Sequence, residues 1–454
     1  MTENGRMAAV RILERMEKED LYVNRAMDDH LHVHDLDRED RKFVSRLVYG
    51  TVERMLYLDH VLDRYSKVPS AKMKKVVRWV LRTGVYQILF MDGIRDAAVC
   101  DEAVKIIKKR KMGALAGYVN AVLRTVAREK DSLVHPGTES LEELSLAFSM
   151  PLWLLEKLQG QMGFEPLKEF CLQSLGSAPL CVRPNLPKVG LKELEAALDR
   201  EGVAHRPGGL LPYALFLDKV EALAKLESFR KGLFQVQDQS SQLVGEVVRS
   251  LELGGSPLVL DVCAAPGGKS THVAGLLGPS GGRVVARDIS PWKLERIGEN
   301  VERLGHPNIR MEEKDASRAY GEDRESADVV LADAPCSGLG ILRRKPDIKY
   351  RLTPDSLESL GRLQKEILEA SGAAVKPGGF LVYSTCTVNR EENEDQVMRF
   401  LEEHKEFKQR PIHLPFGALD PFLEEGFVKL MPKEGGADGF FIALLEKEKG
   451  QRNG

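Results

Sequence analysis

The sequence predicts a multidomain protein of three parts. These are an all-α N-terminal domain (1–135), a small α+β module (140–235) and a C-terminal α/β, Rossmann-like domain (236–447), followed by a polar tail at 448–454. Three observations predict it. Apolar residues recur at three- and four-residue spacing through the first 130 residues, with no convincing strand. "DSLVHPGTES" breaks that pattern with Pro and Gly, and short helical and strand-like runs follow. From residue 256 onward apolar runs alternate with helical stretches, which implies parallel βαβ units in a doubly wound sheet.

In the first part, "AAVRILERM", "REDRKFVSRLVYGTVERMLYLDHVLDRY", "AKMKKVVRWVLRTGVYQILFM", "AAVCDEAVKIIKKRKM" and "LAGYVNAVLRTVARE" read as helices, with Val76, Val77, Val80, Leu81 and Ile88 marking one apolar face. In the second, "PLWLLEKLQGQMG" and "GLKELEAALDREG" are helical and end at glycine, while "APLCVRPN" and "LPYALFL" read as short strands. In the third, the strands are "PLVLDVC", "GRVVARD", "NIRMEEKD", "ADVVLADAPC" and "GGFLVYSTC". Ligands of such sheets bind beyond the C-terminal strand ends, at the point where strand order reverses.

Bulk properties narrow the class. The chain has 454 residues, 43% hydrophobic and 30% charged, with a net charge of −2, as an ordinary folded soluble protein does. The N-terminus has no apolar signal-peptide core and no run is long enough to span a membrane, so a cytoplasmic location and no membrane partner are expected. Residues 51–130 carry 17 Lys/Arg against 8 Asp/Glu, a basic stretch suited to a polyanion. The six cysteines form no CxxC pair and no zinc-spaced cluster, so no metal is expected.

"DVCAAPGGKST" (261–271) resembles a phosphate loop but is not one. The Walker pattern needs glycine where Cys263 stands, and the dinucleotide pattern fails because Gly267 and Gly268 are adjacent. What remains is a strand ending at Asp261, a turn of small residues, and a helix start that favours a carboxylate. Asp288, Asp315 and Asp333 end the next three strands, Asp288 at the usual place for an acid that binds ribose hydroxyls. That rim suits S-adenosylmethionine (SAM), which offers ribose hydroxyls, an ammonium, a carboxylate and a sulfonium.

"DAPCSG" (333–338) and "STCT" (384–387) close the fourth and fifth strands and bring two thiols, Cys336 and Cys386, toward one crevice. Thiols suit methylation at carbon. A thiolate adding to position 6 of a pyrimidine makes position 5 nucleophilic toward a methyl sulfonium, and Asp333 is placed to hydrogen-bond the ring nitrogen or amine.

These residues resemble the NOL1/NOP2/Sun family of RNA 5-methylcytosine methyltransferases. The matching pieces, in order, are "LDVCAAPGGKST", "VVARDIS", "DVVLADAPCSGLGILRRKPDIKY", "LVYSTCTVNREENEDQV" and "DGFFIALLEK". The resemblance implies SAM as cofactor, contacted by Cys263, Ala264, Ala265, Pro266, Gly267, Gly268, Lys269, Asp288, Asp315 and Asp333. It implies that Cys386 attacks the base and Cys336 helps release the product, with Asp333 and Lys269 at the catalytic site. "DRKFVSRLVYGTVERMLYLDHVLDR" and "DEAVKIIKKRKMGALAGYVNAVLR" are similar to the RNA-binding helical domain of the antitermination factor NusB. The combination implies a cytosine of 16S ribosomal RNA, free or in an early small-subunit particle, with another ribosomal or transfer RNA cytosine as the alternative. "ILRRKPDIKYR" (341–351) is expected to grip phosphates beside the flipped base. No dimerisation signal is visible, and a monomer is expected. Two further readings compete: an RNA-binding assembly factor with a vestigial catalytic domain, against which the intact thiols and acids argue, and an ATPase, against which Cys263 argues.

Overall fold

The computed structural model describes residues 4–34, 36–220, 222–278, 281–433 and 436–449; residues 450–454 of the expected tail lie outside them. Two compact units emerge. A helical unit comprises the chain up to Gly176 together with Leu342–Arg351, and a sheet-containing unit comprises the rest.

Helices Gly5–Lys18 and Arg38–Glu53 begin where the side chains of Asn4 and Asp37 accept the Arg6 and Asp40 backbone N–H groups, at 2.9 and 2.8 Å. Helix Lys75–Phe90 runs through the core and buries Val77, Trp79, Val80, Leu81, Val85 and Ile88. Gly50 lies so close to Tyr86 that a Cβ there would overlap the ring. The unit runs further than the expected boundary at 135. Helices Leu141–Ala147, Leu152–Met162 and Phe164–Gln173 bury Leu144, Leu154, Leu158 and Phe170, and the Ser149 hydroxyl accepts Tyr57 N–H at 3.0 Å.

The segment Leu342–Arg351 overturns one expectation. Lys349 and Tyr350 do not present themselves to a phosphate backbone. The buried Lys349 ammonium donates to the carbonyls of Glu53 (3.0 Å) and Phe148 (3.1 Å), and the Tyr350 hydroxyl donates to Ser149 O at 3.0 Å. Asp347 accepts Val23 N–H at 2.9 Å. Glu53 ends one helix and Phe148 caps another, so the lysine satisfies carbonyls that have no intrahelical donor. Burial pushes its ammonium down to about 7.

In the sheet-containing unit, β1 (Leu180–Pro184), β2 (His205–Pro207), β3 (Leu215–Leu217) and β4 (Phe234–Val236) form an antiparallel sheet in the order β2-β3-β1-β4, accompanied by helix Leu191–Arg200. Next come β5 (Leu258–Asp261), β6 (Arg283–Asp288), β7 (Ile309–Glu313), β8 (Ala327–Asp333), β9 (Val375–Thr385), β10 (Phe407–Gln409), β11 (Leu423–Glu424), β12 (Phe427–Leu430) and β13 (Phe440–Lys447). They make one nine-stranded sheet, ordered β11-β12-β13-β9-β8-β5-β6-β7 with β10 beside β13. The five strands β5 to β9 pair in parallel, and β10 to β13 add antiparallel pairs that the βαβ pattern did not announce. Val259, Leu260, Val284, Val330, Leu381 and Val382 are buried at the centre of this sheet, between covered faces. Strand order reverses between β5 and β8, which places the ligand crevice over their C-terminal ends.

Candidate active site

The loop after β5 is drawn tight by its own backbone. Ala264 N–H donates to Arg287 O at 2.8 Å, and Gly267 N–H donates to Ala264 O at 2.6 Å. Gly267 sits at φ 94°, where a side chain would be strained, and its open face lies against Ile297. Helix Gly268–Leu277 starts there, and its N-cap supplies no side-chain hydrogen bond to the first-turn N–H groups. Beneath it the Arg183 guanidinium, fully buried, donates to Gln237 Oε1 (2.7 Å), Gly268 O (3.2 Å) and Thr271 Oγ1 (3.0 Å). Burial with no carboxylate partner pushes that guanidinium down to about 9.

The acids divide into two kinds. Asp261 is buried; one oxygen accepts from Ser270 Oγ at 2.5 Å, the other has no hydrogen-bond partner among the described residues, and burial raises its carboxyl to about 7. Asp288 ends β6 as expected, approached by Lys293 Nζ at 3.2 Å and by Ser290 N at 3.3 Å. Ile289 and Trp292 beside it are 59% and 55% exposed, an apolar pair open to solvent at the strand end. Asp315 does not end its strand: β7 stops at Glu313, and Asp315 starts a turn in which its side chain accepts Ser317 N–H (3.0 Å) and Oγ–H (2.7 Å). Those bonds hold its carboxyl below the usual range.

These groups fit SAM. The left-handed turn at Gly267 and the helix start after it offer backbone N–H groups of the kind that bind a carboxylate. Asp288, at the end of β6, can take ribose hydroxyls. Cys263 is inert here. Burial and the neighbouring carboxylates Asp261, Asp333 and Asp288 push its thiol far above the ordinary cysteine range.

Lys269 turns from the loop toward β8. Its Nζ meets Asp333 Oδ2 at 2.7 Å and lies 5.2 Å from the Phe440 ring centroid, while Asp333 Oδ1 accepts from Ser384 Oγ at 2.7 Å. Asp333 and Ser384 are register partners in β8 and β9. The chain positions just past that pair therefore emerge side by side, and Cys336 Sγ and Cys386 Sγ stand 3.4 Å apart. That is beyond a disulfide bond of about 2.05 Å, and both are free thiols. Contact with Cys386, then burial, then the negative Glu392 push the Cys336 thiol well above the ordinary cysteine range.

Sequence reasoning missed the support around this pair. Gly340 N–H donates to Cys386 O at 3.0 Å and Gly340 O accepts Gly439 N–H at 2.9 Å; a Cβ on Gly340 would overlap the Gly439 carbonyl. Glu392, in "NREENED", is buried and hydrogen-bonded to the Cys336 loop, whereas its neighbour Glu391 is exposed. Nothing in a run of acids marks one as internal.

Comparison with known proteins agrees with this architecture. Residues 248–446 match the family model for the 16S rRNA methyltransferase RsmB/F, residues 3–128 that for the NusB family, and residues 150–223 that for an RsmF/B-like ferredoxin-like domain. The chain is 35% identical to "Probable ribosomal RNA small subunit methyltransferase B" of Bacillus subtilis, over 97% of this chain and 98% of that one. It is 31% identical to ribosomal RNA small subunit methyltransferase B of Vibrio cholerae, over 90% of each. Among solved structures, the crystal structure of PH0851 superposes with a TM-score of 0.82 at 28% identity, covering 98% of this chain and 100% of that one.

Proposed function

The chain belongs to the RsmB/F family of SAM-dependent ribosomal RNA methyltransferases, and from that premise we propose that it methylates carbon 5 of one cytosine in 16S ribosomal RNA. The thiol pair at the ends of β8 and β9 carries this reading, because amino-group or ribose methylation has no use for two adjacent thiols.

SAM, when bound, supplies an electrophilic methyl group on its sulfonium. The residues of the chain do the rest. Asp288 holds the ribose hydroxyls, with the loop from Cys263 to Lys269 and Asp315 around the remainder of the cofactor. Asp333, fixed by Lys269 and Ser384, keeps lone pairs for the cytosine amine. The Cys386 sulfur, its proton released to solvent, attacks carbon 6; a C–S bond forms and the ring π pair shifts to carbon 5, which takes the methyl group as the methyl–sulfonium bond breaks and leaves its pair on the departing thioether sulfur. Cys336 begins protonated, since its surroundings penalise the thiolate, with its sulfur 3.4 Å from that of Cys386. Once Cys386 is bonded to the ring, the largest cause of that penalty is gone. The Cys336 proton passes to solvent, and its thiolate takes the proton from the methylated carbon 5. The C–S bond then breaks, its pair returns to Cys386, and the electrons of the C–H bond restore the ring double bond.

The NusB-like domain supports RNA as the substrate. Lys67, Lys72 and Lys74, and the run from Lys108 to Lys111, expose positive charge on its surface. Bisulfite mapping of unmodified 16S RNA incubated with the protein and SAM tests the reading. One protected cytosine is expected; protection only in another RNA would move the target, and none in any RNA would contradict it.

A further inference from the structure

Between the two thiol-bearing loops lies a carboxylate with no cationic partner among the described residues. Glu392 ends the short turn Arg390–Glu392 and is 1% exposed. Oε2 accepts Ser337 N–H (2.8 Å) and Gln364 Nε2–H (2.9 Å); Oε1 accepts Ser337 Oγ–H (2.5 Å) and Asn389 Nδ2–H (2.9 Å). A buried carboxylate is costly to desolvate unless such donors surround it. Four donors from three separate segments do so here.

Those segments are the ones that carry the chemistry. Ser337 follows Cys336, and the Ser337 hydroxyl also lies 2.7 Å from Thr387 Oγ1, next to Cys386. Asn389 N–H donates to the same Thr387 oxygen at 3.2 Å. Gln364 further donates to Pro335 O at 2.9 Å, on the other side of Cys336. The Glu392 backbone is fixed as well, because its carbonyl accepts from Tyr383 OH at 2.7 Å within β9.

We propose that Glu392 is a positioning residue: its carboxylate clamps the loop after β8 to the end of β9 and thereby sets the spacing of the Cys336 and Cys386 thiols. An apolar residue or a cation would fill the space, but neither accepts four hydrogen bonds at once. The negative charge also helps keep the nearby Cys336 protonated until Cys386 has reacted. This inference rests on the thiol chemistry proposed above, so its test includes a measurement that needs no RNA.

That measurement is the rate at which the azo oxidant diamide joins Cys336 to Cys386, accepting two electrons and two protons as the S–S bond forms, followed by mass spectrometry of the bridged peptides. In Glu392→Gln an amide N–H₂ replaces one acceptor and opposes the existing donors. The bridging rate and the kcat on RNA are each expected to fall about 10- to 100-fold, with KM for RNA, SAM affinity and the melting midpoint nearly unchanged. Ser337→Ala, which keeps the backbone N–H, should shift both rates the same way by less, and it decides the matter if Glu392→Gln does not fold. Bridging within twofold of wild type in the folded variants overturns the clamp. A wild-type protein that methylates no cytosine overturns the function instead, and the bridging rates then decide the clamp alone.

Discussion

The cofactor side and the thiol corner share the C-terminal ends of one sheet, yet they are built in opposite ways. On the cofactor side, among the described residues, the Asp288 side chain meets a half-exposed lysine and a long N–H contact. Asp261 keeps a buried oxygen without a hydrogen-bond partner among the described residues, and Ile289 and Trp292 face solvent. In the thiol corner Ser337, Thr387, Asn389 and Glu392 are buried, and their side chains hydrogen-bond to one another. The difference teaches a division of labour. A site that must bind and release a polar ligand keeps hydrogen-bonding capacity in reserve, while a site that must hold two sulfurs at a working distance spends that capacity on itself.

Substitutions on the two sides should therefore fail differently. The largest effect is expected at Cys386→Ala, which removes the proposed nucleophile: RNA methylation should fall by about a thousandfold or more, with SAM affinity intact by calorimetry. Retained turnover would merge the two sides and remove the thiol from the chemistry. Asp288→Ala should do the reverse, weakening SAM binding about 10- to 100-fold through lost charge-assisted hydrogen bonds, while RNA affinity in a filter-binding assay barely changes. Equal loss of both affinities would contradict the ribose role.

The smallest effect lies outside both sides, in the segment that leaves the Cys336 loop for the helical unit. Lys349 titrates near 7 when folded and near 10.5 when unfolded, so between those values the unfolded chain binds the extra proton. Its contribution to helical-unit stability should therefore improve as pH rises from about 7 toward 10.5, and the cost of the buried charge is full below that window. Lys349→Met should flatten this rise in calorimetric midpoints measured from pH 7 to 9.5. An unchanged slope would show that the ammonium is not desolvated.

What was legible in the sequence follows the same division. Periodicity exposed the helical N-terminus and the five parallel strands, because buried helices and buried parallel strands leave long-range apolar patterns. Counting residues ruled out a phosphate loop at Cys263, and the two cysteine motifs pointed to one crevice before any coordinates did. Interactions between polar residues distant in sequence left no such trace. Glu392 looks like the exposed Glu391 beside it, and Ser384 gives no sign that it will hold Asp333. "ILRRKPDIKYR" reads as a basic surface loop, because charge alone does not reveal that a lysine will end against two helix-terminal carbonyls. The third strand reads as ending at Asp315, two residues too far: β7 ends at Glu313, and the turn made with Ser317 is local geometry that an apolar pattern does not contain.

The central claim is that the two thiols act in sequence, Cys386 forming the bond to the base and Cys336 permitting its release. Incubating Cys336→Ala with SAM and 16S RNA, then resolving protein and RNA on a denaturing gel, tests it directly. The account predicts a covalent protein–RNA band that accumulates in Cys336→Ala, is faint in wild type and is absent from the Cys336→Ala, Cys386→Ala double variant. A band that accumulates instead in Cys386→Ala, and disappears without Cys336, would contradict it.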